Sequence, residues 1–151
     1  MKSRRVGILV TAVVLFVDAS RVLAVIEFND GGVHDIDYEI NDNVRVDYQS
    51  PGMGTTVNIL EGGEITTYHY LHGFEDSIIN IVDGATRQVR AFDSSKVTVS
   101  GGYTSALHAE DSSQVTVSGG RIVEFYIYGS SQVDVSGGHS EKSCWFGTMQ
   151  F

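Results

Sequence analysis

The chain has 151 residues, room for one domain, and a formal net charge of −9 from 19 acidic and 10 basic residues. That balance excludes an ordinary nucleic-acid binder, whose phosphate contacts need clustered cations, and 42% hydrophobic residues exclude a disordered acidic chain. A single cysteine excludes a disulfide scaffold and a multi-cysteine zinc site.

The first residues read as an export signal. Lys2, Arg4 and Arg5 precede an apolar run from Val6 to Val17. The run falls short of the about 20 residues of a spanning helix but suits the apolar core of a secretory signal peptide. Val22-Leu23-Ala24 places cleavage after Ala24, with Ala19 as the alternative, so residues 1–24 are taken as the leader. The remaining chain carries six bases against eighteen acids. It holds no second apolar stretch of spanning length, so no membrane span is expected after cleavage.

Beyond Ala24 the chain has 14 Val and 10 Ile but only 3 Leu and 4 Ala, a composition that favours strands. Residues 25–56 contain alternating apolar positions at Ile36/Tyr38/Ile40 and Val44/Val46, then a loop around Pro51. They are expected to form an irregular capping coil. The eight-residue step from Ile36 to Val44 is matched to the step from Leu107 to Val115.

Residues 57–138 repeat. Ser94–Gly102, Ser112–Gly120 and Ser130–Gly138 are near-identical and recur at a constant step of eighteen, and Asp76–Gly84 keeps Ile79 and Ile81 in phase with them. Val89, Leu107 and Phe125 form a second series at the same step, as do Ala91, Ala109 and Ile127. From Val57-Asn58-Ile59 to Ile79-Asn80-Ile81 the step widens to twenty-two, which puts a four-residue insertion within Gly63–Leu71. A hairpin meander gives no reason for identical turns at a fixed step. A stacked coil does, because each coil must satisfy the backbone of the next at about 4.8 Å. The expected fold is therefore all-β: a single-stranded parallel β-helix or β-solenoid with 18-residue coils and an irregular N-terminal cap. In it the pairs Gly101-Gly102, Gly119-Gly120 and Gly137-Gly138 make the tight turns through positive φ. Each inward Val or Ile contributes about 1.5–3 kcal/mol on burial, before entropy is counted.

After Gly138 the pattern lapses. Ser143 and Trp145 stand where equivalents of Phe125 and Ile127 belong. His139–Phe151 is accordingly read as an irregular tail, either a cap or the product of a truncated or frameshifted reading frame. In the second case the last coil exposes an unpaired edge and self-association through it is expected.

The segments SSQVTVSGG and SSQVDVSGG, after an exported N-terminus and the lead-in HDIDYEINDNVRVD, resemble secreted bacterial repeat proteins of planctomycete type, many of them PEP-CTERM-associated, and some autotransporter passengers. The resemblance spans about Val33–Gly138. It implies a β-solenoid on the cell surface or in extracellular matrix, with no catalytic residues to carry over, and surface polysaccharide stands as a candidate partner. The sorting tail of that group is not found in this sequence.

No catalytic or cofactor-binding residues are identified. Arg87, Arg90, Lys96 and Arg121 are the bases of the coils, and none recurs beside a pair of acids. Glu75, Asp93 and Asp111 fall in one column, where Ca²⁺ would relieve like-charge repulsion, so they form a weak calcium candidate. Against it, each acid serves its own turn, and the glycine pair lacks the Gly-x-Asp of calcium nonapeptides. Asp35, Asp37, Asp42 and Asp47 are expected to face solvent. Tyr68, His69, Tyr70 and His72 sit in the insertion, where solenoids carry binding residues. Cys144 is a candidate dimerising thiol, and Asn58, Asn80, Thr98, Thr116 and Asp134 form a mixed outward row too irregular for ice binding. The expected role is a non-enzymatic secreted or cell-surface structural module. A carbohydrate-binding or carbohydrate-cleaving β-helix fragment is the alternative.

Overall fold

The computed structural model describes residues 24–48 and 54–145, the last three of them as backbone only. The leader up to residue 23, the loop residues 49–53 around Pro51 and residues 146–151 lie outside the described residues. Fourteen strands form two parallel sheets and, among the described residues, there is no helix.

The first sheet carries the longer strands. It comprises β1 (Val25–Phe28), β4 (Asn43–Val46), β6 (Glu64–Gly73), β8 (Ala85–Ala91), β10 (Tyr103–Ala109), β12 (Arg121–Ile127) and β14 (His139–Trp145), with β3 (Glu39–Ile40) paired to the start of β6. The second sheet stacks β2 (Val33–Ile36), β5 (Thr56–Ile59), β7 (Ile78–Ile81), β9 (Lys96–Val99), β11 (Gln114–Val117) and β13 (Gln132–Val135). The chain alternates between the two sheets, so each strand pairs with the one a full coil away. Val115 lies opposite Val97 and Val133, and Leu107 opposite Val89 and Phe125. The 18-residue period is the parallel register itself, and the fold is the β-solenoid expected from it.

The core is a thin slab between the sheets. Val57, Ile59, Ile79, Ile81, Val97, Val99, Val115 and Val117 meet Val44, Leu71, Val89, Leu107 and Phe125, all of them buried. In each long strand the buried positions are spaced three and then two apart: Thr86, Val89 and Ala91, then Thr104, Leu107 and Ala109, then Ile122, Phe125 and Ile127. Two consecutive non-buried residues break the strict alternation of a flat strand, so these strands bend at 87–88, 105–106 and 123–124. The inward Thr86 and Thr104 hydroxyls lie 3.1 Å apart and satisfy one another inside the slab.

Three details differ from the sequence reading. First, Ile36 belongs to the second sheet and Val44 to the first, so their step corresponds to Val99→Leu107, not Leu107→Val115. The step between sheets is eight in that direction too, which is why spacing alone does not fix the phase. Second, His139–Trp145 continues the stack. His139 pairs with Arg121 and Trp145 with Ile127, so the same register runs past Gly138.

Third, the two glycines of each pair have different jobs. Gly102, Gly120 and Gly138 take φ of 70°, 75° and 83°, whereas Gly101, Gly119 and Gly137 do not enter that region. The first glycine is needed because the coil behind it is too close. A Cβ on Gly119 would collide with the carbonyl oxygen of Ser100, and one on Gly101 with that of Val82. The opposite turns use acids in the left-handed region: Glu75 at 49°, Asp93 at 54° and Asp111 at 58°, with Gly129 at 66° one coil on. Asp tolerates that conformation better than most residues with a Cβ.

Replacement of Gly119 by Ala is therefore expected to force adjacent coils apart and cost about 1–3 kcal/mol, as overpacking does. Ser112→Ala, at an exposed turn position, should stay within about 0.5 kcal/mol of the parent. Thermal melts of the two variants decide it, and equal melting temperatures would contradict the close approach.

Candidate functional site

Outward positions of the long-strand sheet fall into columns because the register is fixed. Tyr70, Gln88, Ala106 and Glu124 make one column, and Arg45, His72, Arg90, His108 and Tyr126 the next. These side chains have no part in the slab and differ from coil to coil. They gather rings: Tyr70 stacks on His72 at 3.8 Å, His108 on Tyr126 at 4.6 Å, and Phe74 on Phe92 at 5.0 Å. They also gather charges of both signs. Arg90 lies 3.8 Å from Glu110, Lys142 lies 3.8 Å from Glu124, and Arg121 pairs with Glu141 of the next coil. Each of these cations meets a single carboxylate, and no base is flanked by two acids among the described residues.

The insertion is located by the pairing itself. Ile65 pairs with Thr86 and Tyr70 with Gln88, so residues 66–69 leave the ladder opposite Arg87 alone and hold three of the four extra residues, the fourth falling in the turn at 60–63 opposite 82–84. Both feet of this bulge are tied. Thr66 Oγ1 donates to Asn41 Oδ1 at 2.9 Å and lies 3.0 Å from His69 Nδ1, while the Tyr70 amide donates to Asn43 Oδ1. Arg45 adds a bond from Nη2 to the Tyr70 hydroxyl at 3.3 Å, with its guanidinium 4.4 Å from the centre of the Tyr48 ring. Beside the bulge lies an open recess of about 390 Å³, bordered by Tyr68, His69 and Tyr70 on one side and by Arg87, Gln88, His108, Glu124 and Tyr126 on the other. The sequence places Tyr68, His69, Tyr70 and His72 in the insertion. The other wall comes from the next three coils and shows in the sequence only as outward positions one repeat apart.

Two imidazoles sit against this face as neutral groups. Burial, reinforced by the Arg90 and Arg45 guanidiniums, pushes His72 down to about 3, and burial with Arg90 brings His108 to about 4. His72 Nε2 is buried without a hydrogen-bond partner, so nothing close by favours its protonated form. Gln88, with its amide oxygen turned to Arg90, accepts from Nη2 at 3.1 Å and from Nε at 3.2 Å. Glu124 accepts from the Tyr126 hydroxyl at 3.0 Å. Arg87 has no carboxylate within ion-pair distance among the described residues.

The remaining sequence candidates are scattered. Glu75, Asp93 and Asp111 do line up one coil apart, but the carboxylates of Asp93 and Asp111 are each turned to the backbone of the coil before. Asp93 Oδ2 lies 3.5 Å from the Glu75 amide, and Asp111 Oδ2 lies 3.4 Å from the Asp93 amide. No group of three or more potential metal ligands forms among the described residues. Asp47 is a correction: it does not face solvent but is fully buried, accepting from the Thr55 amide at 2.8 Å and the Thr55 hydroxyl at 2.6 Å. Asp35, Asp37 and Asp42 remain outward, and Asp35 begins a ladder in which Asn58 donates to it at 2.7 Å and Asn80 donates to Asn58 at 2.8 Å. Thr98, Thr116 and Asp134 continue that column. Cys144 on β14 pairs in register with Tyr126 of β12, and its side chain lies outside the described residues.

These features define the chain as a parallel β-solenoid of about six turns with one decorated face. Comparison with protein-family models, curated proteins and solved structures finds no match, so the solenoid class is as far as the identification goes. No helix among the described residues is long and apolar enough to cross a membrane.

Two outcomes follow from this electrostatics. A histidine whose folded pKa is depressed contributes stability that is complete above the ordinary value of 6.5 and is lost as pH falls toward the folded value. The melting temperature should therefore fall from pH 7 to pH 5, where most carboxylates are still ionised, and His72→Phe should shrink that fall. An unchanged slope in the variant would remove His72 as its source. For calcium, the expected result is no rise in melting temperature beyond that given by NaCl of equal ionic strength. A specific rise would make Glu75, Asp93 and Asp111 ligands through mass action.

Proposed function

We propose that the protein is a non-enzymatic structural repeat module, exported and displayed at the cell surface or in extracellular matrix. What supports this most is which residues repeat. Ser95/Ser113/Ser131, Gly101/Gly119/Gly137 and the paired valines recur without change, and all but the exposed Val135 of the last short strand serve the turn or the slab. Potentially reactive side chains, by contrast, differ from coil to coil on the outward columns. Selection for a reaction needs one preorganised constellation, with a nucleophile or acid–base pair in mutual reach. Single contacts of that kind do occur, as between Thr66 Oγ1 and His69 Nδ1 at 3.0 Å, but none recurs from coil to coil, whereas a stack of interchangeable coils suits a spacer or scaffold. Export is supported by Lys2, Arg4 and Arg5 ahead of the Val6–Val17 run.

Fractionation of cells producing the full chain tests both parts. The mature protein should be recovered outside the cytoplasm with a new N-terminus at Val25, or at Ser20 if Ala19 is the cleavage site. Incubation with polygalacturonate, cellulose and chitin should release no new reducing ends. Retention of the leader inside the cell would overturn the localisation, and depolymerisation of any of the three would replace the structural reading with a carbohydrate-cleaving one.

A further inference from the structure

We propose that the recess beside the 66–69 insertion is a binding site for an uncharged oligosaccharide. This site is additional to the scaffold role and does not depend on it.

The first observation is the bulge. Four residues have left the ladder at one coil only, and two side-chain anchors, Asn41 and Asn43 from the preceding coil, hold them in place. Ordering a loop costs free energy, and here the fold's own side chains supply the contacts that hold it, which is what a preorganised site requires. Tyr68, on the exposed tip of this bulge, is 93% exposed. A tyrosine ring held out in water on a tethered loop, over a concave surface, presents an apolar face to whatever enters beneath it.

The second observation is the chemistry of the opposite wall. Arg87 offers guanidinium donors, the neutral His108 one donor and one acceptor, and Glu124 carboxylate acceptors. Thr67 and Tyr70 add hydroxyls that can donate or accept. Such a lining complements a ligand whose own groups both donate and accept at close intervals while its ring presents C–H faces. Hydroxyl-bearing pyranoses have that character. The volume of about 390 Å³ lies in the range of roughly 300–1,000 Å³ for small-ligand sites, near its lower end, and suits a short stretch of chain.

Charge chooses among glycans. Arg87 and Glu124 bring one charge of each sign to the lining, Lys142 lies 3.8 Å from Glu124, and the His108 imidazole in the wall is neutral. The chain as a whole carries −9. A polyuronate would approach against that field and meet Glu124 on arrival, so it is disfavoured. A second, smaller recess of about 150 Å³ shares Thr67 and Arg87 with the first and continues past the bend toward Tyr103 and Ser105. It lengthens the surface along the strand direction, as an oligomeric ligand needs.

The test is a titration of the isotope-labelled protein with cellotetraose, maltotetraose and tetragalacturonate, followed by amide chemical shifts. The expected result is saturable shifts with at least one neutral oligosaccharide, confined to 66–70, 87–88, 106–108 and 124–126. Tyr68→Ala and Arg87→Ala should each weaken binding tenfold or more, while Lys96→Ala on the opposite sheet leaves it unchanged. Both recess residues are exposed, and melting temperatures close to that of the parent would show that the variants fold. No saturable shift with either neutral sugar at millimolar concentration would overturn the proposal. So would shifts that persist undiminished in both variants, and a preference for tetragalacturonate would overturn its choice of ligand. None of these outcomes bears on export or on the absence of depolymerising activity.

Discussion

Backbone hydrogen bonds between coils set every other dimension of this protein. Lys96 donates to Ser77, Gln114 to Ser95 and Gln132 to Ser113, each at 2.9 Å, and the same pattern recurs at the other corner from Tyr103 to Gly84 and Arg121 to Gly102. A buried amide without a partner costs about as much as a hydrogen bond is worth, so a coil cannot shift against its neighbour without losing several bonds together. The ladder keeps coils at strand spacing, and that spacing leaves the carbonyl of Ser100 where a side chain on residue 119 would otherwise begin. The identity of Gly119 is thus decided by the coil below it and not by its own φ. The same constraint explains the acids at 93 and 111, each turned toward the amide of a residue one coil earlier.

Because the ladder uses only main-chain atoms, side chains divide into two groups with different freedoms. Inward ones must fill a slab of fixed thickness, which accounts for the run of Val and Ile and for the few exceptions. Thr86 and Thr104 answer one another, and Ser77, Ser95 and Ser113 are buried at a tight corner. Close packing makes such positions sensitive to a single methylene. Outward side chains are under no such rule. On the short-strand sheet they form the Asp35–Asn58–Asn80 amide ladder, and on the long-strand sheet they assemble rings, ion pairs and the recess.

Whether a feature is legible in the sequence depends on whether it repeats. The register, the inward columns and the presence of an insertion follow from the regular and widened steps, because stacking turns sequence period directly into contact. The phase of Ile36 and Val44 does not follow, since the chain crosses between sheets in steps of eight at both Val99→Leu107 and Leu107→Val115. The strand at 139–145 escapes a reading by side chains because its identity is carried by backbone pairing: Ser143 opposite Phe125 looks like a break and is not one. Beyond it, Phe146-Gly147-Thr148-Met149-Gln150-Phe151 stands one full repeat after Tyr128-Gly129-Ser130-Ser131-Gln132-Val133 and shares its aromatic, glycine, hydroxyl, glutamine and apolar order. That is a fainter copy than the three tidy repeats. The recess is illegible for the opposite reason. Its wall is drawn from three coils whose outward residues do not resemble one another, so no local motif marks it.

The coil that carries the insertion shows what the stack measures. Between Ile65 and Tyr70 four residues join no ladder, yet Leu71, His72 and Gly73 return to register with Val89, Arg90 and Ala91. Circumference is therefore free and only the paired residues are counted. A coil can lengthen at its bend by any amount that brings the next strand back in step, without its neighbours having to change. Such an architecture can acquire a new appendage on one level while every other level keeps its dimensions, much as a balcony alters one storey of a building and none of its floors.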